Sequence, residues 1–253
     1  MLGVLSALTV LSWLALPTDA RSAETVTMRA GFSPDVLGAP TNLSAATSFG
    51  SDLPGPQPPV RNVTVYGPAG MSVDTRGAGL CTASPATVER VGPGACPADS
   101  RIGFGRADGL QELAGELIPG PFTLEFFLRP SRDGHLAMLI YAETISPAVE
   151  QLAFLGEEVR AAKPYGLGLS FAVPVVASIP GASLGWVARV LLTLGSPHAS
   201  YRRTIGGRSR LLHVKGLTAP RSCPRGGFPF KGSFRFADGS TASSATTIPC
   251  PQR

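Results

Sequence analysis

The chain has 253 residues, of which 43% are hydrophobic and only 15% charged, and it carries 30 glycines and 24 prolines. That composition excludes a coiled coil, a collagen and a strongly charged disordered tail, and glycine and proline at this density would interrupt helices every few residues. The length allows a folded core, built as one large β domain or two small ones.

The first residues, 2–16 (LGVLSALTVLSWLAL), form an apolar run too short for a comfortable membrane span. Pro17 and the small-residue triplet Thr18-Asp19-Ala20 follow, so residues 1–20 read as a secretory signal peptide cleaved after Ala20. No Lys or Arg precedes the run, which leaves the α-amino group to supply the positive charge or places the true start upstream. Residues 21–59 are expected to hold one or more N-terminal strands and the Pro-rich connector SDLPGPQPPV (51–60), and residues 60–253 the β body. The apolar stretch from Gly166 to Gly195 is broken by Pro174, Pro180 and Arg189. It is read as buried strands, so no transmembrane segment is expected in the mature chain.

Alternation of apolar and polar residues marks strands at Thr25–Met28, Val60–Tyr66, Pro121–Leu128, His135–Ala142, Tyr165–Val173, Arg210–Gly216 and Gly232–Ala237. Asp133-Gly134 and Asp238-Gly239 each fall between two such runs and predict tight hairpins, because glycine takes positive φ without a Cβ clash. One short helix is expected at Asp108–Leu117, with Asp108 as cap, Gln111 at the capping-box position and Leu110, Leu113 and Leu117 on one face. The expected fold is all-β, an antiparallel β-sandwich with one short helix and two local disulfides.

The four cysteines are Cys81, Cys96, Cys223 and Cys250. An even count in an exported chain points to disulfides, and pairing Cys81–Cys96 and Cys223–Cys250 closes two local loops. The alternative, a metal site, lacks a C-x-x-C or a histidine at ligand spacing. No metal and no cofactor is therefore expected.

Charge divides along the chain. Residues 21–158 hold 9 basic and 15 acidic side chains, and residues 159–253 hold 13 basic and 1 acidic. A basic face attracts polyanions, and arginine, at 19 of the 22 basic residues, forks well onto phosphate and carboxylate. Arg202, Arg203, Arg208, Arg210 and Lys215 form a candidate polyanion-binding set, with an anionic cell-wall polymer or another surface protein as the candidate partner. The competing reading is the arginine bias of a GC-rich genome, with the acidic half pairing internally with the basic half.

Catalytic motifs are weak. Gly181-Ala182-Ser183-Leu184-Gly185 matches the G-x-S-x-G nucleophile turn, but the only carboxylate after Ser183 is Asp238, which follows both His198 and His213. Glu125, Glu143, Glu157 and Glu158 are candidate carboxylates for glycoside hydrolysis, with no spacing that pairs them. No catalytic residue is assigned.

The segments Gly79-Leu80-Cys81, Gly92–Gly103 (GPGACPADSRIG), Cys223–Pro229 (CPRGGFP), Phe236–Ser240 (FADGS) and Pro249-Cys250-Pro251, with Val63–Gly70 before them, resemble a recurrent pattern in uncharacterised secreted proteins of high-GC Gram-positive (actinobacterial) bacteria. The resemblance spans roughly residues 60–251. It implies export and a cystine-braced β architecture and brings no activity with it. The function expected is a secreted or cell-wall-associated, non-enzymatic structural or binding module. The alternatives are a secreted hydrolase of wall glycans or esters, and a polyanion-binding protein using the basic second half.

Overall fold

The computed structural model describes residues 24–52, 55–130, 134–176, 179–195, 200–214 and 216–251. The expected signal peptide, residues 1–20, lies outside them, as do Asp133, His198 and Lys215. In chain order the strands are β1 (Glu24–Ser33), β2 (Asn42–Ser51), β3 (Val60–Pro68), β4 (Ser72–Asp74), β5 (Arg101–Leu113), β6 (Glu116–Arg129), β7 (Ala137–Thr144), β8 (Glu150–Val159) and β9 (Tyr165–Ala172). They continue with β10 (Trp186–Leu194), β11 (Ser200–Ile205), β12 (Arg208–His213), β13 (Gly216–Thr218), β14 (Phe228–Phe236) and β15 (Thr241–Ile248). One α-helix, α1 (Pro85–Val91), interrupts the series.

Eleven strands form one sheet in the order β1-β2-β10-β5-β6-β7-β8-β9-β3-β14-β15, and every neighbouring pair is antiparallel. Its two edge strands, β1 and β15, pack side by side, so the sheet curls almost into a barrel. The two packed faces expected of a sandwich are thus opposed walls of one sheet, since a barrel is a sheet closed on itself. Strand direction alternates across an odd number of strands, so β1 and β15 run the same way, and side chains rather than a continued antiparallel ladder hold the seam. Phe32 on β1 sits edge-on to Phe228 on β14 at 5.6 Å between ring centroids, and Phe49 on β2 sits edge-on to Phe234 at 5.2 Å.

The inner face follows the period-two pattern. Phe228, Phe230, Phe234 and Phe236 of β14 are buried, while Arg235 between them is exposed. The Asp238-Gly239 hairpin forms as expected, with Gly239 at φ 89° and the Asp238 carboxylate accepting from the Ser240 amide (2.9 Å) and hydroxyl (2.7 Å). Strands β6 and β7 pair as neighbours too, but the ladder ends at Arg129–Ala137, so residues 130–136 connect them rather than the tight turn expected at Asp133-Gly134; Gly134 takes φ 77°.

The helix expected at Asp108–Leu117 is not a helix. Those residues form the end of β5, the start of β6 and the hairpin between them. The leucine spacing fits a helical stripe, but Ala114 (φ 55°) and Gly115 (φ 84°) both take positive φ, as a two-residue type I′ hairpin loop requires. The one α-helix among the described residues lies earlier. Ser84 caps α1 by accepting from the Thr87 amide at 3.1 Å, Pro85 occupies its first turn, and Gly92 at φ 80° ends it.

Both disulfides join the expected partners, Cys81–Cys96 and Cys223–Cys250. The first lies beneath α1 on the outer wall, packed on Phe127, Leu139, Tyr141 and Ala153. The second links the segment before β14 to the residues just after β15. Disulfides of this kind persist in oxidising, extracellular-type environments. No described helix is long and apolar enough to cross a membrane.

Candidate functional site

One end of the barrel is closed. Strands β4 and β13 pair there, and the chain at 38–41 joins them through the Pro40–Thr218 bridge and the bond from the Thr41 amide to the Leu217 carbonyl (2.9 Å). Met71, Leu217, Phe228 and Phe230 bury their side chains in this plug. The other end carries the β5–β6 and β7–β8 turns and the connection from β9 to β10.

Between the ends lies a lumen. Eleven strands enclose more space than an eight-stranded barrel, whose interior side chains alone can fill. Several inward positions are small, among them Ala30, Ala45, Ala107 and Ala142, and a cavity of about 310 Å³ remains. Phe122, Leu152, Phe154 and Phe171 line it and are only half-buried, because the lumen leaves part of each uncovered. No Asp, Glu, Lys, Arg or His lines the cavity among the described residues. Its polar contributions include the amide of Gln111 and the hydroxyl of Thr144, both near the turn end. Trp186, at 6% exposure, lines the lumen at that end, paired in register with Leu110.

The wall is incomplete at one place. The β8–β9 ladder runs only from the Gly156–Phe171 pair to the Val159–Gly168 pair, so the first part of β8 has no strand partner on that side among the described residues. The Glu89 carboxylate of α1 accepts from the Ala153 amide there, at 3.0 Å. The lumen residues Leu152, Phe154, Val173, Pro174 and Val176 border the gap. The turn from β7 to β8 carries two of the most exposed large apolar side chains, Ile145 at 78% and Val149 at 73%.

The other candidates lie apart from the lumen. Strands β11 and β12 form a separate two-stranded ribbon. Its register puts Arg208, Arg210 and position 203 on one face and Arg202 on the other. Arg202, Arg208 and Arg210 are exposed, and none of the ion pairs among the described residues involves them. Ser183 exchanges two backbone-directed bonds with Glu112, its Oγ accepting from the Glu112 amide and its own amide donating to the Glu112 carbonyl, both 2.8 Å. Glu125 pairs with Arg101 at 3.0 Å, Glu143 accepts from Gln151 at 3.1 Å, and Glu158 accepts from the Leu136 amide at 2.7 Å. His135 is exposed, 3.8 Å from Glu158. The described residues bring no three metal-ligating side chains together.

Tyr141, on the outer wall, and Glu24, buried at the start of β1, are both electrostatically perturbed. Burial pushes the Tyr141 phenol up to about 12, and the carboxylates of Glu143 and Glu125 add to the effect. Burial likewise raises Glu24 above the usual carboxylate range, the Ser51 hydroxyl opposes it, and Asp238 and Asp52 raise it further.

No protein-family model matches this chain, and neither the curated proteins nor the solved structures contain a match to it.

Proposed function

We propose that the protein is a non-enzymatic binding module working outside the cell or at the cell wall, and that it encloses an apolar small molecule within the barrel. The observation that carries this reading is the uncharged, apolar lumen with inner-face aromatics left half-covered. Ligand sites are typically concave, mostly apolar and marked by a few placed polar groups. The paired cysteines support the location, since both are closed into disulfides. The test is titration with the neutral apolar fluorophore diphenylhexatriene. Saturable, one-site enhancement that is lost in Ala45→Leu is expected, and absence of enhancement refutes the reading. Cleavage after Ala20 is checked by N-terminal sequencing of the exported protein, which is expected to begin at Arg21.

A second reading rests on the separate two-stranded ribbon of β11 and β12, on which Arg202, Arg208 and Arg210 are exposed. It would hold an anionic wall polymer. Retention on such a polymer is expected to fall steeply with salt, and salt-independent retention overturns it. Hydrolase chemistry has less support: Ser183 is engaged with the β5 backbone, and the carboxylates named above lie outside the lumen.

A further inference from the structure

The closed end of the barrel is a surface of a different kind from the lumen. We infer that it docks on an anionic lipid bilayer, with Val36 and Leu37 of the β1–β2 connection entering the head-group layer and the surrounding cations meeting lipid phosphates. This face shares the β11–β12 ribbon with the second reading above, but extends well past it and takes a different partner.

Three observations carry this. The first is that charge is segregated along the barrel axis. The β8–β9 connection reaches the plug through the bond from the Ala69 amide to the Pro164 carbonyl (3.2 Å), and it exposes Arg160 and Lys163. The segment between β13 and β14 starts and finishes in the plug and exposes Arg221 and Arg225. The ribbon leaves the barrel after Gly195, which packs against the Thr41 backbone, and returns to β13 in the plug, so Arg202, Arg208 and Arg210 belong to the same end. Asp35 and Glu157 are the exposed carboxylates at this end among the described residues. At the turn end the balance reverses: Asp52, Glu116 and Asp238 are exposed and Glu112 and Glu150 half-buried, against exposed Arg61 and Arg235. Ends of opposite sign turn the closed end toward an anionic surface as the molecule approaches it.

The second observation is apolar. Val36 and Leu37 are 53% and 43% exposed, in a turn closed by the bond from the Ala39 amide to the Val36 carbonyl (3.3 Å). The turn end exposes aliphatic side chains too, Leu117, Ile145 and Val149, but it is the end an anionic bilayer repels. The third is that tip and cations adjoin. The Gly38 amide donates to the Pro220 carbonyl at 3.0 Å and Gly38 stands against the Arg221 side chain, while Gly70, next to the Ala69–Pro164 bond, abuts Pro220. The tip, Arg221 and the connection bearing Lys163 therefore form one continuous surface. Aliphatic side chains beside basic ones are what an interfacial anchor needs. A soluble polyanion would engage the arginines and leave Val36 and Leu37 in water.

The experiment floats the protein with vesicles of phosphatidylcholine alone and of an equimolar mixture with phosphatidylglycerol. Binding to the mixture only, weakening as salt rises, is expected, and binding to neither or equally to both overturns the inference. Arg221→Gln and Lys163→Gln are each expected to weaken binding about fivefold, the worth of one basic side chain beside an anionic surface. Arg235→Gln, at the turn end, is expected to leave it unchanged; an equal loss there means that net charge rather than this end drives binding, and refutes the face. Val36→Ser with Leu37→Ser is expected to weaken binding at least about fivefold. These sites are exposed, so an unchanged melting temperature is expected in every variant. If the folded serine pair binds as before, no aliphatic tip enters the bilayer and the inference fails. Soluble polyphosphate separates the two readings: capture of polyphosphate without vesicle binding overturns lipid docking and leaves the ribbon reading standing. Loss of vesicle binding in Arg208→Gln and Arg210→Gln, with none in Arg221→Gln or Lys163→Gln, likewise confines the site to the ribbon and overturns the docking end.

Discussion

The seam between β1 and β15 is the part of the fold most dependent on side chains, so truncating Phe234 tests the architecture. Phe234 is 4% exposed, clusters with Val60 and Phe236, and holds the edge-on contact with Phe49 that draws β2 toward β14. Removing a buried Phe side chain forfeits about 1.5–3 kcal/mol of transfer energy, and an aromatic pair adds about 0.5–1.5 kcal/mol. With the void left behind, the usual total for Phe→Ala is about 3–5 kcal/mol. Phe234→Ala is therefore expected to lower stability by about 3–4 kcal/mol in urea unfolding followed by Trp186 emission, with m unchanged. Phe49→Ala and the double variant complete a cycle whose coupling is expected at about 0.5–1.5 kcal/mol. A loss below about 1 kcal/mol, with no coupling, would mean that the aromatic pairs do not hold the seam.

Four further outcomes follow from named residues. Ala114→Asn is expected to stabilise by about 0.5–1 kcal/mol in the same assay, because Asn tolerates the left-handed conformation that costs Ala energy; a loss of stability contradicts the type I′ turn. Serine replacement of a disulfide pair is expected to cost about 3 kcal/mol for Cys81–Cys96 and slightly more for Cys223–Cys250, whose closed loop is longer (27 against 15 residues); the reverse ranking in thermal unfolding counts against the loop-entropy account. Glu24 is held above its ordinary value, so the folded state favours its protonated form, and the stabilisation this brings is present at low pH and lost as pH rises through the raised value. Glu24→Gln is accordingly expected to gain stability relative to wild type at pH 7 but not at pH 4, and a pH-independent difference refutes the cause. Tyr141 Oη has no partner within hydrogen-bond geometry, and burial, with the nearby Glu143 carboxylate adding to it, raises its titration to about 12. Stability should thus fall as pH climbs from about 10 toward 12, and Tyr141→Phe should remove that fall while leaving stability at pH 7 unchanged or up to about 1 kcal/mol higher.

What was legible in the sequence, and what was not, follows physical lines. The FPFKGSFRF run of β14 alternates cleanly because one face is fully buried, and Asp238-Gly239 announces its hairpin through backbone chemistry alone. The cysteine pairing was legible because each loop is local. Strand β2 (NLSAATSFGS) was hidden: its inward residues Leu43, Ala45, Thr47 and Phe49 include two small or polar ones that leave the lumen open, so the alternation is faint. Its neighbour β10 lies more than a hundred residues away in the chain, a pairing no local pattern encodes. At 108–117, leucines spaced three and four apart satisfied a helical stripe, and the deciding signal was the Ala114-Gly115 loop. Helix α1, at seven residues, is too short for periodicity, and its only marks are Ser84 and Pro85. The lumen could not be read at all. Sandwich and barrel share the same alternation, and enclosed volume depends on strand number and closure rather than on any one segment.

The most direct test of the central claim is a crystal structure of the protein soaked with 10-bromo-1-decanol, with the bromine located by anomalous scattering. The account places the bromine inside the barrel, against the apolar lumen wall. Bromine found only on the outer wall, in a lumen filled by its own side chains, would contradict it.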